Sequence, residues 1–168
     1  AYRISGNTYF TYDDFEHVDV LTVNPTEWVT FEEANADDTY AIGVDVSGGV
    51  GRDYAVVFCV SRMTLQPVCI YRSNTVSPVQ LADYIYDMSV TYNNALTLVE
   101  SNNYGLATIQ ELVHQGFYRL WKDAHTGKDF LTTSRSKPLL FENLKKGIQT
   151  GAIRLIDNVT MTELRSIT

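Results

Sequence analysis

Apolar residues in this chain fall into short dense runs separated by polar turns, and the period changes from run to run. Tyr40 to Val46 (YAIGVDV) is almost continuously apolar, interrupted by one aspartate. Ser47-Gly-Gly-Val-Gly-Arg-Asp53 is a glycine-rich turn, and Tyr54 to Val60 (YAVVFCV) is a second apolar run. Arg62 to Pro67 is a turn, followed by a third run from Val68 to Arg72. Runs this short, rich in β-branched and aromatic residues and joined by tight turns, predict an antiparallel three-strand meander. The period then lengthens. Ser77-Pro78 predicts a helix start, serine as cap and proline at the first helical position. Val79, Ala82, Ile85, Tyr86 and Val90 follow at helical spacing up to Asn93-Asn94. Ala95 to Glu100 (ALTLVE) predicts a fourth strand, Leu106 to Gln115 a helix stopped by Gly116, and Arg119-Leu-Trp121 a short fifth strand. Gly127 to Pro138 reads as a polar loop or hairpin. Leu139 to Thr150 reads as a helix ended by Gly151, Ile153 to Ile156 as a strand, and Thr160 onward as a further helix.

Three antiparallel strands followed by helix, strand, helix, strand is the order of an RNase H-like α/β fold. Such a fold has a mixed central sheet, a meander followed by parallel crossover strands, and helices on both faces. In it the fourth strand lies parallel beside the first, and ligands gather at strand ends where the chain changes direction across the sheet. Residues 1–36 are weakly patterned, with β-like pieces at Gly6 to Phe10 and Val18 to Val23 before Asn24-Pro25. They read as an acidic linker or N-terminal arm, with the RNase H-like domain over 37–168.

Charge changes the picture through its distribution. The net charge is −7, yet residues 1–50 hold ten acids and one base (Arg3), whereas residues 101–168 hold nine bases and six acids. The acidity is an N-terminal property, and the remainder can present a basic face to DNA. No apolar run reaches the roughly 18 residues of a membrane span, and no signal peptide opens the chain. Without an initiator Met, the chain reads as part of a longer polypeptide. Cys59 and Cys69 sit in apolar runs and read as buried thiols in a reducing compartment, with a cross-strand disulfide as the alternative. His17, His114 and His125 share no metal-ligand spacing, so zinc has no support.

Asp45 is the first candidate for chemistry. A carboxylate in a run as apolar as YAIGVDV is costly to bury without a partner or a metal; the alternative is a turn or capping aspartate. The glycines after it allow close approach of another group. Glu100 ends ALTLVE much as Asp45 nearly ends YAIGVDV, each sixth from its strand start. On parallel neighbours about 4.8 Å apart, the two carboxylates would meet at one edge and repel. A divalent ion removes the conflict, and hard oxygen ligands suit Mg²⁺ or Mn²⁺. Two-metal nuclease sites, with ions about 3.5–4 Å apart, fit this spacing. Asp53, returned towards Asp45 by the glycine turn, is a third ligand, a metal-water acceptor, or an aspartate satisfying the turn's own amides.

Three motifs in order carry a specific resemblance. Val44-Asp-Val-Ser-Gly-Gly-Val-Gly-Arg-Asp-Tyr-Ala-Val56 is similar to the first nuclease motif of viral terminase large subunits, and Leu98-Val-Glu-Ser-Asn-Asn-Tyr-Gly105 resembles the second. Thr132 to Pro138, Gly147 to Ile153 and Thr162-Glu-Leu164 look like the stretch that follows. The resemblance implies the C-terminal nuclease domain of a tailed-bacteriophage-type terminase. That domain is a metal-dependent endonuclease cutting concatemeric double-stranded DNA in the host cytoplasm. Asp45 and Glu100 match its first two metal-binding acids, and Asp53 an auxiliary acid. A third catalytic acid is implied after the Glu-Leu helix, beyond Thr168, with Asp157 and Glu163 as a strand-end and a helix residue instead. On this resemblance the domain is truncated at its C-terminus. Arg52, Lys122, Arg135 and Lys137, with Lys128, Lys145 and Lys146, are candidates to line the DNA path. Implied partners are an N-terminal packaging ATPase domain, a portal and a small terminase subunit; no G-x-x-x-x-G-K-[ST] phosphate loop occurs here. Two other readings stand beside this one. An actin-like or sugar-kinase nucleotide-binding domain also opens with an Asp strand and a glycine turn. A non-catalytic RNase H-like scaffold would pair Asp45 and Glu100 with basic groups.

Overall fold

The computed structural model describes residues 8–26 and 28–168. A single 3-10 turn (Tyr12–Phe15) precedes β1 (Asp19–Leu21), β2 (Trp28–Thr30), β3 (Tyr40–Asp45), β4 (Ala55–Ser61) and β5 (Pro67–Ser73). Then come α1 (Pro78–Thr91), β6 (Leu96–Val99), α2 (Gly105–His114), α3 (Ser136–Gln149), β7 (Leu155–Asp157) and α4 (Asn158–Arg165). The described chain forms two compact units, residues 25–133 and residues 8–24 with 134–168. This division differs from the one expected at 36/37. Part of the acidic segment is a sheet strand, because β2 pairs antiparallel with β5 through Trp28↔Tyr71 and Thr30↔Cys69.

In residues 25–133 the sheet order is β2-β5-β4-β3-β6, antiparallel throughout except for the parallel β3-β6 pair. The meander and the return of the fourth predicted strand beside the first are therefore as expected. Alternation along β3 buries Tyr40, Ile42 and Val44 and exposes Gly43 and Asp45, the period-two pattern of a strand with one packed face. The packed face joins Ala55, Val57 and Cys59 of β4 and Val99 of β6 with Leu81, Ala82, Ile85 and Met88 of α1 and Ile109 and Leu112 of α2. The α1 stripe is rotated from the predicted one: Val79 and Val90 are exposed, while Leu81, Met88 and Ser89 are buried. Ser77 Oγ accepts from the Gln80 N–H (3.1 Å) and Gln80 Oε1 accepts from the Ser77 N–H (3.2 Å), a reciprocal cap with Pro78 behind it. Asn93 and Asn94 end the helix with φ of 59° and 57°, a region that asparagine tolerates.

The fifth predicted strand is only a bridge. Leu120 lies beside Thr97, held by Thr97 N–H to Arg119 O (2.9 Å) and Trp121 N–H to Thr97 O (2.8 Å). The chain leaves at once because the Asp123 side chain accepts from the His125 and Thr126 amides, closing a turn. Cys59 and Cys69 face each other across β4 and β5 as buried free thiols. Burial pushes both up, Cys69 to about 11, so they stay protonated.

In the other unit β1 and β7 form a two-stranded parallel sheet, so the strand predicted at 153–156 pairs outside the main sheet. Phe10, Phe15, Ile148, Ile156 and Leu164 form its core. The predicted Gly6–Phe10 piece is not a strand over residues 8–10, and Gly6 and Asn7, like Arg3, lie outside the described residues. Asp157 caps α4 by accepting from the Thr160 N–H (2.9 Å). α3 begins at Ser136, earlier than predicted, and takes Pro138 into its first turn, where a missing N–H costs nothing.

Candidate nuclease site

The register Val44↔Val99 is the last pair of the parallel ladder, and one step on are Asp45 and Glu100. The Glu100 N–H donates to Val44 O (3.2 Å), which keeps the ladder closed up to the acids. Both side chains leave on the sheet face of Gly43 and Leu98, opposite the packed core. Asp45 is exposed, so burial is not what singles it out; alternation carries its side chain away from Ile42 and Val44 into a cleft. Its carboxyl is nevertheless held above the ordinary carboxylate range. Partial withdrawal from water comes first, then the negative charge of Glu100, and lastly that of Asp53. The Val46 N–H opposes them.

The glycine turn forms the cleft, about 370 Å³, lined among others by Asp45, Ser47, Gly48, Arg52, Asp53 and Tyr104. Gly49 has φ +70°, and a Cβ there would come within 2.3 Å of Val76 O, so the turn packs backbone against backbone where no side chain fits. Asp53 is exposed on the returning limb and acts on Asp45 through charge. Among the described residues no three His, Cys, Asp or Glu side chains converge as ligands of one ion. The donor set that does meet, two carboxylates and no nitrogen or sulfur, fits a hard divalent ion completed by water. Among the described residues no lysine or arginine forms an ion pair with Asp45 or Glu100.

Glu100 is positioned from both sides. A Cβ on Gly105 would lie 1.8 Å from Glu100 O, so only glycine lets α2 start this close. Asn102 Oδ1 accepts from the Gly105 N–H (2.8 Å) and fixes that approach. From the other side the Thr132 N–H donates to Glu100 Oε1 (3.2 Å), while the Ser101 N–H and Oγ both donate to Phe130 O (2.8 and 2.9 Å). The Asn and Gly of the second motif thus have a structural purpose visible in their spacing. The contact from Thr132 leaves no sequence signal, nor does the presence of Ser47 and Tyr104 in the cleft.

The basic candidates fall in both units. Arg52 lines the cleft. Lys122 is ion-paired with Asp129. In the other unit Arg135 and Lys137 stand at the start of α3, with Lys137 Nζ 5.6 Å from the Phe141 ring centroid. Lys145 is engaged by Asp14 (3.5 Å) and the Tyr9 ring (4.7 Å).

No protein-family model matches the chain. Among solved structures it is similar to the large terminase nuclease from thermophilic phage G20c with bound magnesium. That match has a TM-score of 0.70 and 24% identity, covering 90% of this chain and 78% of that one. The fold is that of the large terminase nuclease domain. The same phage's nuclease with bound zinc aligns at TM-score 0.71 and 23% identity, covering 93% of this chain and 88% of that one. The Thermus phage P74-26 large terminase nuclease domain aligns at 0.71 and 21%, covering 90% and 75%. The terminase nuclease fold is RNase H-like, and its mixed five-stranded sheet here brings Asp45 and Glu100 side by side.

Proposed function

We propose that this chain is the DNA-cutting domain of a viral genome-packaging terminase. It is a divalent-metal-dependent endonuclease that hydrolyses phosphodiester bonds of concatemeric double-stranded DNA with two metal ions. One observation carries the reading: Asp45 and Glu100 stand at matched ends of two parallel strands, on one face, beside a glycine-walled cleft and, among the described residues, without a basic partner. The terminase nuclease fold, and the magnesium, cobalt and zinc bound by its structural neighbours, support it.

Bound Mg²⁺ or Mn²⁺ would supply Lewis acidity towards a phosphoryl oxygen and lower the pKa of an attacking water. The chain's own residues do the rest. Asp45 and Glu100 would hold the ions through carboxylate oxygens, and the Thr132 amide sets the orientation of Glu100. Asp53 accepts a hydrogen bond from water in the cleft. Arg52 meets the phosphate backbone there, with Arg135, Lys137 and Lys122 as further phosphate contacts. In the complete packaging machine this domain would work in the host cytoplasm with a packaging ATPase domain, a portal and a small terminase subunit.

The test is nicking of supercoiled plasmid in Mn²⁺. The wild type should nick weakly and stop when the metal is chelated. Asp45→Asn and Glu100→Gln keep shape but remove a ligand charge, and each should abolish nicking with the melting temperature unchanged or higher. Undiminished nicking by both variants would sink the reading. Saturable ATP binding without nicking would instead favour a nucleotide-binding domain.

A further inference from the structure

We infer that Tyr104 and Arg52 seat a backbone phosphate of the DNA strand in the cleft beside Asp45, the phenol hydroxyl and the guanidinium each donating to its oxygens. The inference rests on the nuclease reading and adds to it a substrate-contacting tyrosine. Tyr104 stands at the start of α2, four residues after Glu100, and lines the cleft formed by the glycine turn. Its ring bridges the two acid-bearing motifs, since a Cβ on Gly48 would come within 3.1–3.3 Å of its ring and hydroxyl. Although packed there, Tyr104 remains 52% exposed. Neither its hydroxyl nor Arg52 has a partner among the described residues. Ser47, in the same cleft, has a buried hydroxyl with no hydrogen-bond partner, a group that is costly to leave unpaired. The cleft therefore brings the unused donors of Tyr104, Arg52 and Ser47 together with the carboxylates of Asp45 and Asp53. A phosphodiester has the complementary chemistry: it is an anion that only accepts hydrogen bonds, and it can meet the donors on one side and a cation held by the carboxylates on the other. Gly48 is small because the ring occupies the space a side chain would need.

Three variants of the full chain test this: Tyr104→Phe, Arg52→Ala and Gly48→Ala. Tyr104→Phe removes the hydroxyl and keeps the ring on Gly48. Affinity for a short DNA duplex is measured by fluorescence anisotropy in Ca²⁺ across a salt series, Mn²⁺ affinity by calorimetry, and nicking in Mn²⁺. Tyr104→Phe should weaken duplex binding and slow nicking by roughly tenfold, as expected for a hydrogen bond to a charged group. It should leave Mn²⁺ affinity and the salt slope unchanged, because a neutral donor displaces no counterion. Arg52→Ala should weaken binding at least as much and reduce the slope by about 1. Gly48→Ala, which shifts the ring without removing a polar atom, should weaken binding less than Tyr104→Phe. If the wild type binds and cuts while Tyr104→Phe does so equally well, the phosphate seat is refuted and the nuclease reading survives. Lower Mn²⁺ affinity in Tyr104→Phe would move the hydroxyl to the metal and also refute it. A wild type that neither binds nor cuts DNA would bring down the nuclease reading itself.

Discussion

Gly105 shows how one residue controls the candidate site. Its missing side chain lets the start of α2 press against the Glu100 carbonyl, at a distance where a Cβ would sit 1.8 Å from oxygen. Backbone cannot yield as a flexible side chain can, so Gly105→Ala should destabilise by about 2–3 kcal/mol and abolish nicking by moving Glu100. Gly43→Ala, on the adjacent strand with nothing within 4 Å of the new methyl, should be near neutral in a denaturant titration. Equal losses for the two would contradict the packing account. Asp45 gives a pH prediction. Its carboxyl is raised above the ordinary range by partial desolvation, then by Glu100 and Asp53, so the folded protein binds that proton more tightly than the unfolded chain does. The resulting destabilisation is absent below the unfolded pKa of about 3.9, grows as pH rises through the folded value, and is complete at neutral pH. Glu100→Gln removes part of its cause. In chelator, this variant should melt higher than the wild type at pH 7, and the gap should close as the pH falls towards about 4. A gap independent of pH would assign the difference to something other than carboxylate repulsion.

At the scale of elements, what could be read from sequence was whatever local chemistry decides. The Ser77-Pro78 helix start is an instance: hydroxyl, Gln80 and proline act within one turn, and the cap is present as the residues imply. Ser77→Ala should cost about 1 kcal/mol, read as a lower melting temperature with nicking intact at permissive temperature. The 3-10 turn at Tyr12–Phe15, where Asp14 Oδ2 accepts from the Thr11 N–H (2.7 Å), lay in a segment read only as a weakly patterned arm. Which side of α1 faces the sheet was not legible either. Val79 and Val90 fit a helical stripe as well as Leu81 and Met88 do, and only packing against β4 and α2 separates them. Arg119–Trp121 had strand composition, but a polar turn at Asp123 reduced it to a single bridge.

For the chain as a whole, a net charge of −7 opposes DNA binding, so any affinity must come from local basic contacts and must be sensitive to salt. Raising salt from about 50 to about 200 mM should weaken duplex binding steeply, and each lysine or arginine that truly meets a phosphate should lower the slope by about 1 when replaced by alanine. Lys122→Ala should change the slope less than Arg52→Ala, because Asp129 already neutralises Lys122. Equal effects would show that the ion pair opens on DNA.

Legible in the sequence alone were the meander, the capped start of α1, and the two acids at matched strand positions. Each depends on residue type and on spacing along one stretch of chain. The register of β3 on β6 also follows from that spacing once the strands are parallel neighbours, since a shift by one residue would turn every side chain to the other face. Tertiary structure alone decided the rest. Pairing across the sheet drew β2 out of the acidic segment. The amide of Thr132 reached Glu100 over an intervening 31 residues of chain, and Tyr104 met Gly48 across the cleft. Such contacts join residues far apart in sequence, and no local propensity records them, because their energy arises only after the chain has closed around the site.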